Sequence, residues 1–186
     1  MTGRHDRPPD ATGVLTVCWW RVRLRRTLGA TLAALLLAQP AFGAAWQGRV
    51  TTVHDGDTLT VQKRTRGVMV RLIHIDAPEL DQPFGRESRR HLQQLVRLEQ
   101  VRVATRGRDK YGRTLGVVTR VRDGLDVNLT QVDRGYAWAY TLGRSAPAFE
   151  RAQRSARAGR RGLWGDPAPT PPSVWRRSRR SVADGP

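Results

Sequence analysis

From Trp46 onward, apolar and polar positions alternate in short runs broken by turn signals. Gly48–His54, Leu59–Lys63 and Val68–Ile75, separated by Asp55-Gly56 and Arg66-Gly67, predict a three-strand meander. The period then lengthens. Within Phe84–Leu98, residues Leu92, Leu95, Val96 and Glu99 fall at helical spacing, which predicts an amphipathic helix ending near Glu99. Alternation returns in Val101–Thr105 and, after the glycine-punctuated loop Gly107–Gly112, in Thr114–Val121. Asp123-Gly124 turns the chain toward a short helix around Val127–Arg134. Ser145 is placed to cap a last helix through about Ala158, with Pro147 in its first turn and Phe149, Ala152 and Ala156 on its apolar side. Five strands, a helix between the third and fourth, and helices after the fifth predict an α+β fold: a five-stranded Greek-key barrel of OB type with about three helices.

The flanks differ in character. Arg21–Arg26 precedes the apolar run Thr27–Ala38, then Gln39-Pro40 and the small residues Ala41–Ala45. Residues 1–45 therefore read as an N-terminal extension with a secretory signal peptide. The run is too short for the roughly 20 residues that span hydrocarbon, so no lasting membrane association is expected after cleavage. Residues 46–165 form the expected domain. Residues 166–186, with Asp166–Pro172 proline-rich and Arg176–Arg180 basic, read as a disordered tail.

Charge narrows the choice of partner. The 186 residues hold 33 Lys and Arg against 16 Asp and Glu, a formal +17, and only Lys63 and Lys110 are lysines. Residues 46–186 carry 27 of the basic and 14 of the acidic residues, so the excess belongs to the expected domain and points to a polyanion. The one cysteine, Cys18, excludes an internal disulfide framework and cysteine-ligated zinc. Export would leave a cysteine-free chain suited to an oxidising periplasmic or extracellular setting.

Candidate chemistry sits at three places. Asp-Gly in His54–Thr58 is a hairpin signal, but a turn does not require the second aspartate. In extended backbone, residues i and i+2 share a side, so Asp55 and Asp57 can face one site. Carboxylates that close repel unless a cation or an arginine neutralises them, and their oxygens suit Ca²⁺. Ile75–Glu79 adds Asp76 and Glu79, with Pro78 holding Ala77 extended. Arg71, among the apolar neighbours Met69–Ile73, needs an anion: either an acid of this site or a substrate phosphate. The loop Arg106–Arg113 offers Lys110 and Arg113 to phosphates and Tyr111 for stacking or hydrogen bonding. Tyr136, Trp138 and Tyr140 alternate, a stripe that suits core packing, with Tyr140 able to reach a groove. His54, His74 and His91 show no ligand-type spacing.

Taken in order, Asp55-Gly-Asp-Thr58, Arg71-Leu-Ile73, Ile75-Asp-Ala-Pro-Glu79, Phe84-Gly-Arg-Glu87, Asp109-Lys-Tyr-Gly-Arg113 and Leu129–Gly135 resemble the staphylococcal nuclease family across roughly residues 46–165. The resemblance implies cleavage of DNA and RNA with little sequence specificity, preferentially single-stranded, leaving 3′-phosphate ends. It implies Ca²⁺ held by Asp57, Asp76 and the Ala77 backbone carbonyl, with Asp55 supporting from nearby. Glu79 would orient or deprotonate the attacking water, Arg71 and Arg113 would bind the reacting phosphate, and Lys110, Tyr111 and Tyr140 would hold a neighbouring one. Threonine is frequent in the family where this chain has Ala77, so a side-chain hydrogen bond is lost there while a main-chain ligand is kept. A monomer is expected. The alternative is a catalytically inactive nucleic-acid-binding module on the same barrel.

Overall fold

In a computed structural model of the chain, residues 45–140 and 146–183 are described. The expected signal segment and the expected Ser145 cap lie outside them. Strands β1 (Ala45–Val53), β2 (Thr58–Lys63) and β3 (Arg66–Leu72) form the meander. β4 (Ile75–Asp76) follows, then helix α1 (Gly85–Val96), β5 (Gln100–Arg108) and β6 (Thr114–Arg120). Helix α2 (Val127–Asp133), β7 (Trp138–Ala139), helix α3 (Pro147–Ala158), a 3₁₀ turn (Gly162–Gly165) and helix α4 (Pro172–Ala183) complete the order.

The five longer strands close into a barrel in the order β1-β2-β3-β6-β5, sealed by β1 against β5. Neighbours run antiparallel except β3 and β6, which are parallel and therefore joined by a long crossover containing α1 and β5. The α+β, OB-type expectation holds.

Inward positions alternate along the strands. Val50, Leu59, Val61, Val70, Leu72, Val101, Val103 and Val118 are buried, and α1 adds Leu92 and Val96 to the same core. Burying each such side chain is worth about 1.5–3 kcal/mol. Gly116 faces inward between them. A Cβ there would stand 3.0 Å from Val103 Cγ1, so the glycine leaves room for the larger neighbours.

Two expectations need correction. The predicted third strand, Val68–Ile75, is interrupted: β3 stops at Leu72, His74 takes φ 65°, and Ile75-Asp76 pairs instead with β7. The kink moves Asp76 off the barrel wall into a separate two-stranded ribbon. The tail expected to be disordered contains α4, so the described residues hold four α-helices, not about three. Pro172 at its first position is buried, where the missing N–H costs nothing and the fixed φ favours a helix.

Candidate active site

The site assembles where the β1–β2 turn meets the β3–β4 segment. Asp57 is 1 % exposed and precedes β2, with its carbonyl accepting the Leu72 N–H at 2.8 Å. Thr58 pairs in register with Arg71, which fixes Arg71 beside Asp57. Arg71 Nη1 donates to Asp57 Oδ1, and its Nη2 donates to Asp76 Oδ1 at 2.9 Å. Asp57 also accepts from Thr58 Oγ1 at 3.1 Å and from the Ala77 N–H at 2.7 Å. One guanidinium thus joins two buried carboxylates, which supply one of the two kinds of anion expected for Arg71.

Gly56, read as a turn residue, is required by packing. A Cβ there would lie 1.9 Å from Ser88 Oγ and 2.6 Å from the Ala77 side chain. The turn is held from behind by the buried Gln131, whose Nε2 donates to Gly56 O at 2.7 Å, while Ser88 Oγ donates to Tyr136 O at 2.5 Å. Asn128, fully buried, accepts from Val118 N at 3.0 Å and donates to Ile73 O at 2.9 Å and Gly116 O at 3.1 Å. It clamps the chain between Arg71 and Asp76. Nothing in the local sequence distinguishes these three polar residues from ordinary helix surface.

Asp55 turns its carboxylate back on the loop, accepting the Asp57 N–H at 2.9 Å. Burial raises its pKa, opposed by the charge of Arg71, hydrogen bonding with Thr58 and the charge of Arg113. Asp55 is therefore within the electrostatic reach of both arginines, but its side chain caps the turn.

Glu79 is about a third exposed at its side chain, and its N–H donates to Gln82 Oε1 at 3.2 Å. Its carboxylate meets a residue the sequence placed in a loose tail. Arg176 on α4 contacts Glu79 Oε1 at 2.6 Å and Asp76 Oδ2 at 2.8 Å. These carboxylates, against the cost of partial burial, hold the Arg176 guanidinium more firmly protonated than usual. The signal that could have revealed α4 is Pro172 followed by Val174, Trp175 and Val182, apolar at near-helical spacing.

Arg113 belongs to the β5–β6 loop, which Asp109 organises. Its carboxylate accepts from the backbone N–H groups of Tyr111 (3.0 Å) and Arg113 (2.9 Å) and from Arg113 Nε at 2.7 Å. Gly107 and Gly112 have φ of 121° and 79° with open space around them, so their role is conformational. Lys110 and Arg113 lie 5.0 and 5.5 Å from the Tyr111 ring, which is 72 % exposed. The three form one basic, aromatic knob. Tyr140 is exposed and its N–H donates to His74 O at 2.8 Å, on the ribbon that carries Asp76. The other aromatics of its stripe pack inward: Tyr136 stacks on His91 at 3.9 Å, and Trp138 meets Trp164 edge to face at 4.4 Å. His54 and His91 bond to Thr60 and Gln131.

Among the described residues no three His, Cys, Asp or Glu side chains converge as a ready-made metal cage. What converges is smaller: Asp57 and Asp76, the Ala77 backbone and, one guanidinium away, Glu79. The three carboxylates are oxygen donors that need positive charge, and carbonyl or water ligands would complete the set. The chemistry fits a hard divalent cation and no soft one.

A closed OB-type barrel with acids and an arginine gathered beside a basic aromatic loop has the architecture of a small nuclease. Residues 69–166 match the family described as staphylococcal nuclease homologue, and the chain belongs to that family. It is similar to a Haemophilus influenzae protein named "Uncharacterized endonuclease", 44 % identical over 133 residues, covering 71 % of this chain and 74 % of the relative. An Escherichia coli protein of the same name is 41 % identical over 145 residues, covering 78 % and 94 %. A Shigella flexneri protein named "Micrococcal nuclease" is 36 % identical over 164 residues, covering 83 % and 94 %.

Proposed function

We propose that the chain is an exported endonuclease that requires Ca²⁺ and hydrolyses DNA and RNA with little sequence preference, leaving 3′-phosphate ends. The observation that carries this reading is Arg71 bound at once to Asp57 and Asp76, with the Glu79 carboxylate attached to the same cluster. Bound by Asp57, Asp76 and the Ala77 carbonyl, Ca²⁺ would supply a Lewis acid for the scissile phosphate. Glu79 orients a water and takes its proton as the oxygen bonds to phosphorus. The bond from phosphorus to the 5′ oxygen breaks, and that oxygen leaves as a hydroxyl with a proton from solvent. Arg71 and Arg113 stabilise the negative charge that grows on the phosphoryl oxygens, which lowers the barrier more than it stabilises the ground state.

Lys110, Tyr111 and Tyr140 hold an adjoining phosphate or base, and the surrounding arginines give sequence-independent affinity that weakens with salt. Single strands suit this surface best because their bases are free to stack on exposed aromatics. Export is supported by the Arg21–Arg26 and Thr27–Ala38 pattern, and a monomer by the small closed barrel. The test is nucleotide release from denatured DNA with Ca²⁺ and with chelator, followed by end-group analysis. Activity confined to Ca²⁺, with 3′-phosphate ends, is the expected result; equal activity in chelator overturns the metal role.

A further inference from the structure

Helix α4 lies across the very acids assigned to cation and water. Arg176 Nη2 is 2.8 Å from Asp76 Oδ2, and its Nη1 is 3.3 Å from Asp76 Oδ1 and 2.6 Å from Glu79 Oε1. Both Asp76 oxygens are thereby engaged, one of them by Arg71 as well. Glu79 has a guanidinium where an attacking water would have to stand.

The rest of α4, and Thr170 just before it, are tied to the same loop. Gln82 Nε2 donates to Thr170 O at 2.6 Å, Trp175 Nε1 reaches Asp81 Oδ1 at 3.4 Å, and Arg179 pairs with Asp81. Trp175, Arg176 and Arg179 thus share one face of the helix, turned to residues 76–82. The two hydrophobic clusters of the described residues contain no α4 side chain, and Val174 is exposed. Apart from the buried Pro172 and the half-buried Trp175, docking rests on ion pairs and hydrogen bonds, of which the exposed ones to Asp81 are individually weak and easily exchanged. The proline-rich connection Asp166–Pro171 keeps the helix close, so rebinding is intramolecular and efficient.

We propose that α4 is an autoinhibitory plug: Arg176 stands in for the divalent cation on Asp76 and Glu79, and binding of that cation expels the helix. The inference rests on the proposed function and adds its regulation. Charge favours the exchange. The carboxylates of Asp57, Asp76 and Glu79, facing Arg71 and Arg176, leave one negative charge uncompensated; a divalent ion in place of Arg176 leaves none. Once released, the helix presents Arg176, Arg177, Arg179 and Arg180 to a polyanion, so a nucleic-acid substrate would hold it away from the site.

Calorimetric titration of the full chain with CaCl₂, alongside hydrogen exchange of residues 172–183, tests this. If the site is open about one-tenth of the time, Arg176→Gln binds Ca²⁺ about tenfold more tightly than the parent. Asp81→Asn, which loosens the anchor without touching Asp76 or Glu79, gives a smaller gain in the same direction. In the parent chain, Ca²⁺ speeds amide exchange in α4. Equal affinity in all three chains, or α4 exchange indifferent to Ca²⁺, overturns the plug and leaves the nuclease reading standing. No Ca²⁺ binding by any of the three overturns both.

Discussion

Asp57 Oδ2 accepts the Ala77 N–H at 2.7 Å, joining two turns that are 20 residues apart in the chain. The bond places the Asp57 carboxylate against the backbone whose next carbonyl is the proposed third ligand. It also makes Asp57 structural as well as functional. Asp57→Asn keeps the volume but removes the charge that Arg71, Thr58 and Ala77 all address. Losing charge-assisted hydrogen bonds of this kind costs about 1.5–3 kcal/mol. Urea unfolding in chelator should show a loss of that size, and Ca²⁺ titration a fall in affinity of more than tenfold.

Glu79 and Arg113 are different: both are partly exposed and neither holds the barrel together. Glu79→Gln should lower the cleavage rate by about 10²–10⁴, the usual worth of a positioned base. Arg113→Ala should lower it by about 10²–10³, the usual worth of one donor to a developing oxyanion. Unfolding midpoints of both variants should stay close to the parent. Single-turnover cleavage of a denatured oligonucleotide separates these effects from substrate binding; an unchanged single-turnover rate in either variant removes that residue from the mechanism.

Asn128 tests the scaffold rather than the chemistry. Its amide satisfies one N–H and two carbonyls in a fully buried setting, on β6 and on the segment leading to β4. Asn128→Ala leaves the Val118 N–H and the Ile73 carbonyl without partners, while Gly116 O keeps the Ile73 N–H at 3.1 Å, and buried unsatisfied groups cost about 1–3 kcal/mol each. We expect a total loss of about 2 kcal/mol or more in urea unfolding, together with faster amide exchange in residues 73–77.

Period-2 alternation made the barrel legible because each strand buries one face, and the register Thr58 to Arg71 follows from a short turn between such strands. Arg71 was legible for a related reason: a charged group inside an apolar run must find an opposite charge. Three things were not. The break at His74 depends on the bond between Asn128 and Ile73 O, a contact 55 residues distant. The polar braces Gln131 and Ser88 look like helix surface until the partner loop is in place. Helix α4 was hidden because proline and arginine composition reads as solvated tail, whereas its docking comes from acids nearly a hundred residues upstream.

His91 offers a pH test of that brace. Its ring lies flat on Tyr136 at 3.9 Å, and its Nδ1 faces Gln131 Oε1, because Gln131 Nε2 is committed to Gly56 O. Burial lowers its pKa from the ordinary 6.5, with the bond to Gln131 opposing and the charge of Arg134 assisting. The folded chain therefore resists a proton that the unfolded chain accepts near pH 6.5. Stability from a neutral His91 is complete above that pH and is lost as pH falls through the lower, folded-state value, with no further loss from this group beyond it. His91→Phe keeps a ring on Tyr136 and removes the titration, at a pH-independent cost from the bond to Gln131. Its urea midpoint should decline less than the parent's between pH 7.5 and 5, and parallel profiles for the two chains would show that His91 contributes nothing to acid sensitivity.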